Sequence, residues 1–313
     1  MKAWVFDGPG KPLRREDWPV PSAAVGEVVV KVHTAGLCHT DIGFMDGTIT
    51  GLVKFLPIIL GHEVAGVITE IGEGVEGWQV GERVVPAISP ADTPGLNRNG
   101  GYAEYTAVAA HTLVKIPDSV SFAQAAAASD AGVTSYNAIA NSGLISDGDR
   151  VALIGLGGLG MTGARIASVR GATITGVEPR ESTWATAREQ GVSEIVTDIK
   201  ELAGRDFDVV VDFAGFDGTV DGAIKAVKPF GRVVQVGAGS AQSRYATGDL
   251  VFRSITLVGS TPTGATRDVA AVLALIGASQ LEIPTQSIGF DEIADGLDRL
   301  QAGGIVGRLV AEW

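Results

Sequence analysis

Cysteine is nearly absent from this chain, which has Cys38 as its single example in 313 residues. One cysteine excludes a disulfide within the chain, and it equally excludes a structural zinc site built from four cysteines. Histidine is also scarce, with four residues, and two of them, His39 and His62, lie in short polar segments at or near Cys38. Chemistry that needs soft ligands is therefore expected in this part of the sequence.

Clusters of positive charge and long apolar runs are missing as well. The net charge is −12 and the pI is about 4.8, which argues against nucleic acid or an anionic membrane as a partner. No uninterrupted apolar stretch has the length needed to cross a bilayer, and the run after Met1 is too short for a signal peptide. With 45% apolar and 19% charged residues, the composition is that of a globular protein, and we expect it to be cytoplasmic.

Residues 1–120 predict a β-rich region, because short apolar runs alternate there with glycine and proline. Two helices follow: an alanine-rich one after Ser121, and a second from Thr134 to about Asn141 that stops at Gly143. The strand candidates are 27–32, 64–71, 83–87 and 102–108.

From residue 150 onward, apolar strands alternate with helices. This order predicts an α/β fold with a doubly wound parallel sheet, covered by helices on both faces. The length agrees with two domains, since 313 residues are many for a single core. The strand candidates are 151–154, 173–177, 194–196, 207–213, 232–236, 255–258 and a final 305–311, and the helix candidates are 161–170, 183–190, 267–278 and 291–301.

A glycine-rich turn follows the first strand of this alternation. The run at 155–160, Gly-Leu-Gly-Gly-Leu-Gly, satisfies G-x-G-x-x-G, in which glycines allow a tight turn and close approach to a pyrophosphate. Glycine is abundant here, so a turn that binds nothing is the plain alternative. The position between an apolar strand and a helix N-terminus favours a dinucleotide site. The cofactor-binding residues predicted in this turn are Gly155, Gly157, Gly158, Leu159 and Gly160.

An acid, Glu178, lies at the end of the next predicted strand. A carboxylate there can accept hydrogen bonds from both ribose hydroxyls and repels a 2′-phosphate, which favours NAD over NADP. Arg180, two residues later, could instead hold a 2′-phosphate. The sequence therefore predicts an NAD site and leaves NADP open.

Cys38 and His62 carry the chemistry of a metal site. A thiolate and a neutral imidazole are ligands that Zn²⁺ prefers. Two ligands do not complete a site, so a third donor has to come from elsewhere in the chain. The structural alternative is a buried thiol at Cys38 and a hydrogen-bonded core histidine at His62.

Taken together, these motifs resemble the zinc-dependent alcohol dehydrogenases of the medium-chain dehydrogenase/reductase superfamily. The resemblance rests on segments 36–41 and 61–63, the Gly-Gly-Tyr-Ala-Glu-Tyr run at 100–105, the 155–160 turn and Gly307-Arg308, in this order. It implies a β-rich, GroES-like catalytic domain (residues 1–130 and 265–313) and a Rossmann cofactor domain (residues 131–264).

The resemblance also supplies the third metal ligand. In this family a cysteine, a histidine and a residue just before the first helix of the cofactor domain hold the catalytic zinc. Asp130 stands at that last position here, where many members have cysteine. A carboxylate preserves the charge of the site but is a harder ligand than a thiolate. The implied zinc ligands are Cys38, His62 and Asp130, and the alternative for Asp130 is an acid at a helix end.

By the same resemblance, Asp41 and Glu63 support the metal ligands, with Asp41 orienting the His62 ring. Their alternative is a pair of surface acids beside a strand. Thr40 occupies the position at which members of this family have a serine or threonine, whose hydroxyl forms a hydrogen bond with the substrate oxygen and begins a proton relay. His39 is expected to pass the proton onward or to contact the cofactor phosphates.

Thr134 is expected to contact the nicotinamide and Arg308 the pyrophosphate, again by resemblance. Gly43 stands where some members carry a further relay histidine, so the route of the proton to water is left open. Many members also insert a lobe in which four cysteines hold a structural zinc. A loop is predicted at 89–95, and residues 92–99 stand in the place of this lobe without a cysteine, so the resemblance implies that the lobe is deleted.

The implied function is hydride transfer between a primary or secondary alcohol and NAD(P), with a catalytic zinc. Two other functions stay open: a zinc-free quinone or enoyl reductase of the same superfamily, and an NAD(H)-binding protein without turnover. The expected partner is a small alcohol, aldehyde or ketone. Relatives associate through the edge strand of the cofactor sheet, here near 255–258, so a homodimer or homotetramer is expected.

Overall fold

Strands and helices follow one another along residues 1–49, 51–89 and 91–313, the part of the chain that this computed structural model describes. Thr50 and Pro90 lie outside the described residues, and Pro90 belongs to the loop predicted at 89–95. The strands are β1 (Lys2–Phe6), β2 (Arg14–Asp17), β3 (Glu27–Leu37), β4 (Ile58–Ile59), β5 (Glu63–Ile71), β6 (Arg83–Pro86), β7 (Tyr105–Ala109), β8 (Leu113–Lys115), β9 (Arg150–Ile154), β10 (Thr173–Val177), β11 (Val192–Val196), β12 (Phe207–Asp212), β13 (Val227–Gln235), β14 (Thr256–Gly259), β15 (Thr285–Gly289) and β16 (Arg308–Glu312). The α-helices are α1 (His39–Asp46), α2 (Phe122–Ala127), α3 (Val133–Tyr136), α4 (Gly158–Val169), α5 (Trp184–Glu189), α6 (Thr219–Ala226), α7 (Thr247–Phe252), α8 (Thr266–Gly277) and α9 (Ile293–Gln301).

The chain divides into two compact units. The first contains Met1–Asp130 and Pro262–Trp313, and the second contains Ala131–Thr261. The domain boundary expected after residue 130 coincides with the first boundary between these units. The expected second boundary, before residue 265, lies a few residues after the one at Pro262. Those exact domain limits stay a prediction. No helix among the described residues is long and apolar enough to cross a membrane.

The first unit is built on a mostly antiparallel sheet. Its strand order is β15-β16-β3-β5-β6-β8, with β7 also paired to β3, and β2, β1 and β4 form a smaller sheet beside it. The register pairs Gly36 of β3 with Glu63 of β5, and Leu37 of β3 with Leu309 of β16. Because β3 is central and ends at Leu37, whatever follows it meets the start of β5 and the start of β16. Three distant stretches of sequence therefore converge at this end of the sheet.

Apolar side chains pack together near this end of the sheet in the first unit. A buried cluster joins β1, β4 and α9 to the end of β3, and its largest members include Tyr102, Phe6, Phe44 and Leu37, each no more than 2% exposed. Such close packing leaves few alternative positions for the residues it supports.

The second unit contains the predicted doubly wound sheet. Its strands are parallel and follow the order β11-β10-β9-β12-β13-β14, which is the 3-2-1-4-5-6 order of the Rossmann fold. The central strand β9 is apolar and no more than 3% exposed from Val151 to Ile154, because helices cover both faces of a parallel sheet. The prediction of an α/β fold with such a sheet is confirmed.

The two helices predicted after Ser121 and from Thr134 are joined in the structure into one helical path. α2 continues through a π-helical stretch, Ala128–Gly132, directly into α3, and a second π-helical stretch, Asn137–Ser142, follows. The Ser129 hydroxyl donates to the carbonyl of Ala126 at 2.8 Å, inside the helical path. π-Helical stretches are rare and often found at functional sites.

Candidate metal and cofactor sites

Cys38 is the N-cap of α1, immediately after β3. Its Sγ accepts from the backbone N–H of Thr40 at 3.5 Å, and the Asp41 carboxylate accepts from the backbone N–H of Cys38 at 3.2 Å. This reciprocal arrangement is a capping box. The sequence patterns did not predict α1, although an acid three residues after a polar cap position is the signal for such a helix start.

His62 lies between β4 and β5 and is 3% exposed. The preceding Gly61 has φ +89°, and a Cβ there would lie 2.5 Å from the ring of Tyr102. Only glycine fits this conformation and this space. The turn directs the His62 ring so that Nδ1 is 3.4 Å from Oδ1 of Asp41 and Nε2 is 3.6 Å from Oδ2 of Asp130.

Four potential ligands meet at this point: Cys38, His62, Glu63 and Asp130 each offer a donor atom, and these atoms lie within 4.8 Å of one another. Asp130 comes from the π-helical stretch after α2, and its Oδ2 is 3.5 Å from Sγ of Cys38. The structure thus brings together the three residues that the sequence and the resemblance selected as zinc ligands.

Glu63 already has a partner. The guanidinium of Arg308 contacts both of its carboxylate oxygens, with Nε donating to Oε2 at 3.0 Å. The same guanidinium donates to Oδ2 of Asp130 at 2.8 Å. Arg308 thus contacts both oxygens of Glu63 and one oxygen of Asp130, so Glu63 is a fourth candidate beside Cys38, His62 and Asp130, and the choice of these three as zinc ligands stays a prediction. Glu63 and Asp41 are both 0% exposed, so the alternative of two surface acids is wrong.

Tyr102 contributes to the site without having been predicted to do so. It is 0% exposed, and its hydroxyl donates to Oδ2 of Asp41 at 2.8 Å. This bond leaves Oδ1 of Asp41 facing His62. The Gly-Gly-Tyr motif was visible in the sequence, but the residue was assigned to a strand that in fact begins at Tyr105.

The buried charges shift the pKa of two ligands. Burial raises the pKa of the Cys38 thiol, but the Arg308 guanidinium lowers it, and the net pKa is below the usual thiol value. Burial lowers the pKa of His62, yet Asp41 and Asp130 raise it, and the net pKa is well above the usual value for histidine. A metal ion binding here would have to displace the His62 proton.

The donor set fits zinc. Sulfur, imidazole nitrogen and carboxylate oxygen are its usual ligands, and three protein ligands are typical of a catalytic site. Nδ1 of His62 and Oδ1 of Asp41 are buried and have no hydrogen-bond partner within the described residues. A cation held by Nε2 would leave the ring proton on Nδ1, which is the atom that faces Asp41.

The two predicted relay residues differ in their surroundings. The hydroxyl oxygen of Thr40 is 3.5 Å from Sγ of Cys38, so it borders the ligand cluster. His39 is the first residue of α1 and is exposed. A role for His39 in proton transfer or phosphate binding stays a prediction.

In the second unit, the glycine-rich turn has the geometry that the motif requires. Gly155 has φ +82°, and a Cβ on Gly160 would lie 1.9 Å from the carbonyl oxygen of Gly155. Gly157 is the N-cap of α4, whose first turn contains Gly158, Leu159 and Gly160. Backbone N–H groups at such a helix start can bind a pyrophosphate.

Glu178 is anchored to this turn. Its Oε2 accepts from the backbone N–H of Leu156 at 3.1 Å, and its two oxygens accept from Nε and Nη2 of Arg180 at 2.9 and 3.0 Å. Burial raises the pKa of Glu178, but these bonds lower it to a net value below normal. Arg180 is thus engaged by Glu178, a contact that the sequence did not predict.

Thr134 lies on α3, in the second unit, and is 7% exposed. Arg308 is 5% exposed and belongs to the first unit, where carboxylates are its partners. The contacts predicted for Thr134 with nicotinamide and for Arg308 with pyrophosphate stay predictions.

Comparison with known proteins agrees with both units. Residues 24–118 match the model of the alcohol dehydrogenase GroES-like domain, and residues 158–278 match that of the zinc-binding dehydrogenases. The chain is 31% identical to an NAD-dependent alcohol dehydrogenase of Sulfolobus acidocaldarius, over 99% of each protein. It superposes with a TM-score of 0.92 and 30% identity on an alcohol dehydrogenase from Aeropyrum pernix, over 100% of each chain. It also superposes with a TM-score of 0.91 and 28% identity on an acetophenone reductase from Geotrichum candidum in complex with NAD, over 100% of this chain and 97% of the other. The chain therefore belongs to the zinc-dependent alcohol dehydrogenase family of the medium-chain dehydrogenase/reductase superfamily.

Proposed function

We propose that this protein is a zinc-containing alcohol dehydrogenase that transfers hydride between a primary or secondary alcohol and NAD. The observation that carries the proposal is the convergence of Cys38, His62 and Asp130, with their donor atoms within 4.8 Å of one another. Full-length similarity to an NAD-dependent alcohol dehydrogenase supports the same reaction.

Cys38, His62 and Asp130 would hold the zinc, which when bound supplies a Lewis acid for the substrate oxygen. The protein's own groups prepare that position. Arg308 neutralises part of the carboxylate charge by contacting Glu63 and Asp130. Asp41, held by Tyr102, orients the ring of His62.

Thr40 is proposed to take the proton of the substrate hydroxyl. Its own hydroxyl borders Sγ of Cys38 at 3.5 Å, so an alcohol oxygen directed at the cluster comes within its reach. A hydroxyl can accept one hydrogen bond and donate another, which is what a relay step requires. His39 follows Cys38 directly and is exposed, so it is proposed as the next acceptor toward water.

The turn at 155–160 is proposed to bind the pyrophosphate, with Thr134 and Arg308 as further cofactor contacts. NAD supplies the hydride acceptor when bound. An ionised Glu178 at the turn favours NAD, because it can accept ribose hydroxyls and repels a 2′-phosphate. The bidentate contact of Arg180 with Glu178 leaves this guanidinium less available for a phosphate.

The test is metal content together with turnover. Purified protein is expected to contain one zinc per chain and to reduce NAD faster than NADP across a panel of primary and secondary alcohols. Asp130→Ala should lower the zinc affinity and kcat/KM together, because one of three ligands is lost. Asp118→Ala, which removes an exposed acid in the same unit, serves as the matched control.

The alternatives predict other outcomes. A protein without zinc that reduces quinones or enones with NADPH would indicate a zinc-free reductase of the superfamily. Bound zinc and bound NAD without turnover on any alcohol, aldehyde or ketone would indicate a binding protein. Retained zinc and full activity in Asp130→Ala would remove Asp130 from the site.

We also propose a homodimer or homotetramer, in the cytoplasm. β14 is the last strand of its sheet, and two phenylalanines beside it, Phe230 and Phe252, are 82% and 90% exposed. Exposed edges and apolar patches of this kind mark interfaces. Sedimentation of the native protein is expected to give the mass of two or four chains, and Phe252→Lys should shift the mass toward one chain. A monomer at all concentrations would contradict the proposal.

A further inference from the structure

Arg98 links three separate parts of the first unit. Its Nε and Nη2 donate to the two carboxylate oxygens of Asp92 at 2.7 and 3.2 Å. Its Nη1 donates to Oε1 of Glu27 at 2.6 Å and to the carbonyl of Ala107 at 3.2 Å. Glu27 is the first residue of β3, and Ala107 lies on β7. The bidentate contact with Asp92 has the geometry that arginine favours with carboxylates.

The residues around Arg98 form a closed turn. The backbone N–H of Gly95 donates to the carbonyl of Arg98 at 2.8 Å, and the backbone N–H of Thr93 donates to Oδ1 of Asn97 at 2.9 Å. Arg98 therefore joins the two ends of this turn through Asp92 and fastens them to β3 and β7. The resemblance predicts that this stretch stands in the place of the four-cysteine lobe, and ionic contacts hold it to β3.

The same turn lies directly behind the residues that precede His62. The backbone N–H of Ile59 donates to Oδ1 of Asn99 at 3.1 Å, and Gly101 N–H donates to the carbonyl of Gly61 at 2.7 Å. A Cβ on Gly95 would lie 2.9 Å from the backbone nitrogen of Gly61. With so little space between them, a displacement of the turn would be transmitted to Gly61 and hence to the direction of the His62 ring.

We propose that Arg98 is a positioning residue for the metal site, which acts by locking the 92–99 turn against Gly61 and so fixing the orientation of His62. This inference rests on the proposed function, because it takes Cys38, His62 and Asp130 as zinc ligands. Arg98 itself touches neither the ligand atoms nor the substrate. Its effect is on the orientation of the ligands before the ion binds. Residues outside the ligand set commonly orient the ligands in this way.

The test compares Arg98→Met with Arg83→Met. Arg83 is the control, since it is likewise an arginine of the first unit with several hydrogen bonds, in its case to the backbone carbonyls of Pro117, Asp118 and Val120. Zinc affinity is measured by competition with a chromogenic chelator, and the cobalt(II)-loaded proteins are compared by visible absorption. Arg98→Met should weaken zinc binding by less than the roughly 10–100-fold that loss of a group bonded to a ligand costs, and it should shift the cobalt bands. Arg83→Met should lower thermal stability but leave both metal readouts at the wild-type values.

Other outcomes are equally decisive. Wild-type zinc affinity and an unchanged cobalt spectrum in Arg98→Met would overturn the inference while leaving the proposed function intact. A wild-type protein that binds neither metal, or binds it equally well after His62→Ala, would overturn the proposed function and the inference with it. If Arg98→Met does not fold, Arg98→Lys and Asp92→Asn replace it; each should weaken zinc binding and shift the cobalt bands relative to the wild type, and wild-type values of both in these variants would overturn the inference.

Discussion

Replacing His62 with alanine is expected to remove the bound zinc and to lower kcat/KM for alcohol oxidation by about 10³-fold or more. A Lewis acid on the substrate oxygen contributes several kcal/mol to the reaction, and each 1.36 kcal/mol corresponds to a factor of ten. The remaining two ligands, Cys38 and Asp130, cannot complete a three-ligand site. Metal analysis and steady-state kinetics measure both effects.

His111→Ala is the control for this experiment, because His111 is exposed and outside the ligand cluster. It should retain zinc and activity. The pH dependence gives a second check. The pKa of His62 is raised in the metal-free protein, so its proton competes with the ion and the apparent zinc affinity of the wild type should fall as pH falls through that raised pKa. A His62→Ala protein with wild-type zinc content and kcat/KM would contradict the site.

Replacing Arg308 with methionine is expected to lower the free energy of unfolding by about 3–5 kcal/mol. The change leaves Glu63, which is 0% exposed, as a buried carboxylate without its guanidinium partner. Desolvation of an unpaired charge is costly, whereas the volume of the side chain is largely retained. Urea unfolding of the metal-free protein gives the midpoint and the slope from which this loss is obtained.

The double variant Glu63→Gln/Arg308→Met shows how much of the lost free energy of unfolding comes from the unpaired charge of Glu63 and how much from the missing ion pair itself. It should recover part of the stability, since removing both charges costs less than leaving one of them alone. Arg267→Met is the control, because the Arg267 side chain is 87% exposed, and it should leave stability unchanged. A loss for Arg308→Met as small as that of the control would mean that water or a rearranged neighbour replaces the guanidinium at Glu63.

Some site residues could be predicted without the fold, because their residue type or their near neighbours in the sequence identify them. The glycines at 155, 157 and 160 are required by a turn that spans six positions, and Glu178 follows at the end of the next strand. Cys38 and His62 were recognisable as ligands because so few other soft donors exist in the chain. Asp130 was selected by resemblance, because a single acid beside a helix has no distinctive pattern of its own.

Contacts between distant residues were not predictable in this way. The pairing of Arg308 with Glu63 joins residues that are 245 positions apart in the sequence. No periodic pattern in the sequence indicates such a contact. Tyr102 was assigned to a strand because its neighbours are apolar, yet its hydroxyl supports Asp41. The π-helical stretch that joins the two predicted helices through Asp130 was not predicted, because such stretches are rare in proteins.

The sequence by itself determined the parallel nucleotide-binding sheet and the glycine-rich turn, because each depends on residue types a few positions apart, and it singled out Cys38 and His62 as candidate zinc ligands. Only the tertiary structure decided how Cys38, His62 and Asp130 meet, and which groups surround them. The physical reason is twofold: the register of β3 with β5 and β16 places Cys38, His62 and Arg308 side by side, and the packing of α2 against these strands brings Asp130 to them. That register depends on packing across the whole first unit, and no short stretch of sequence contains it.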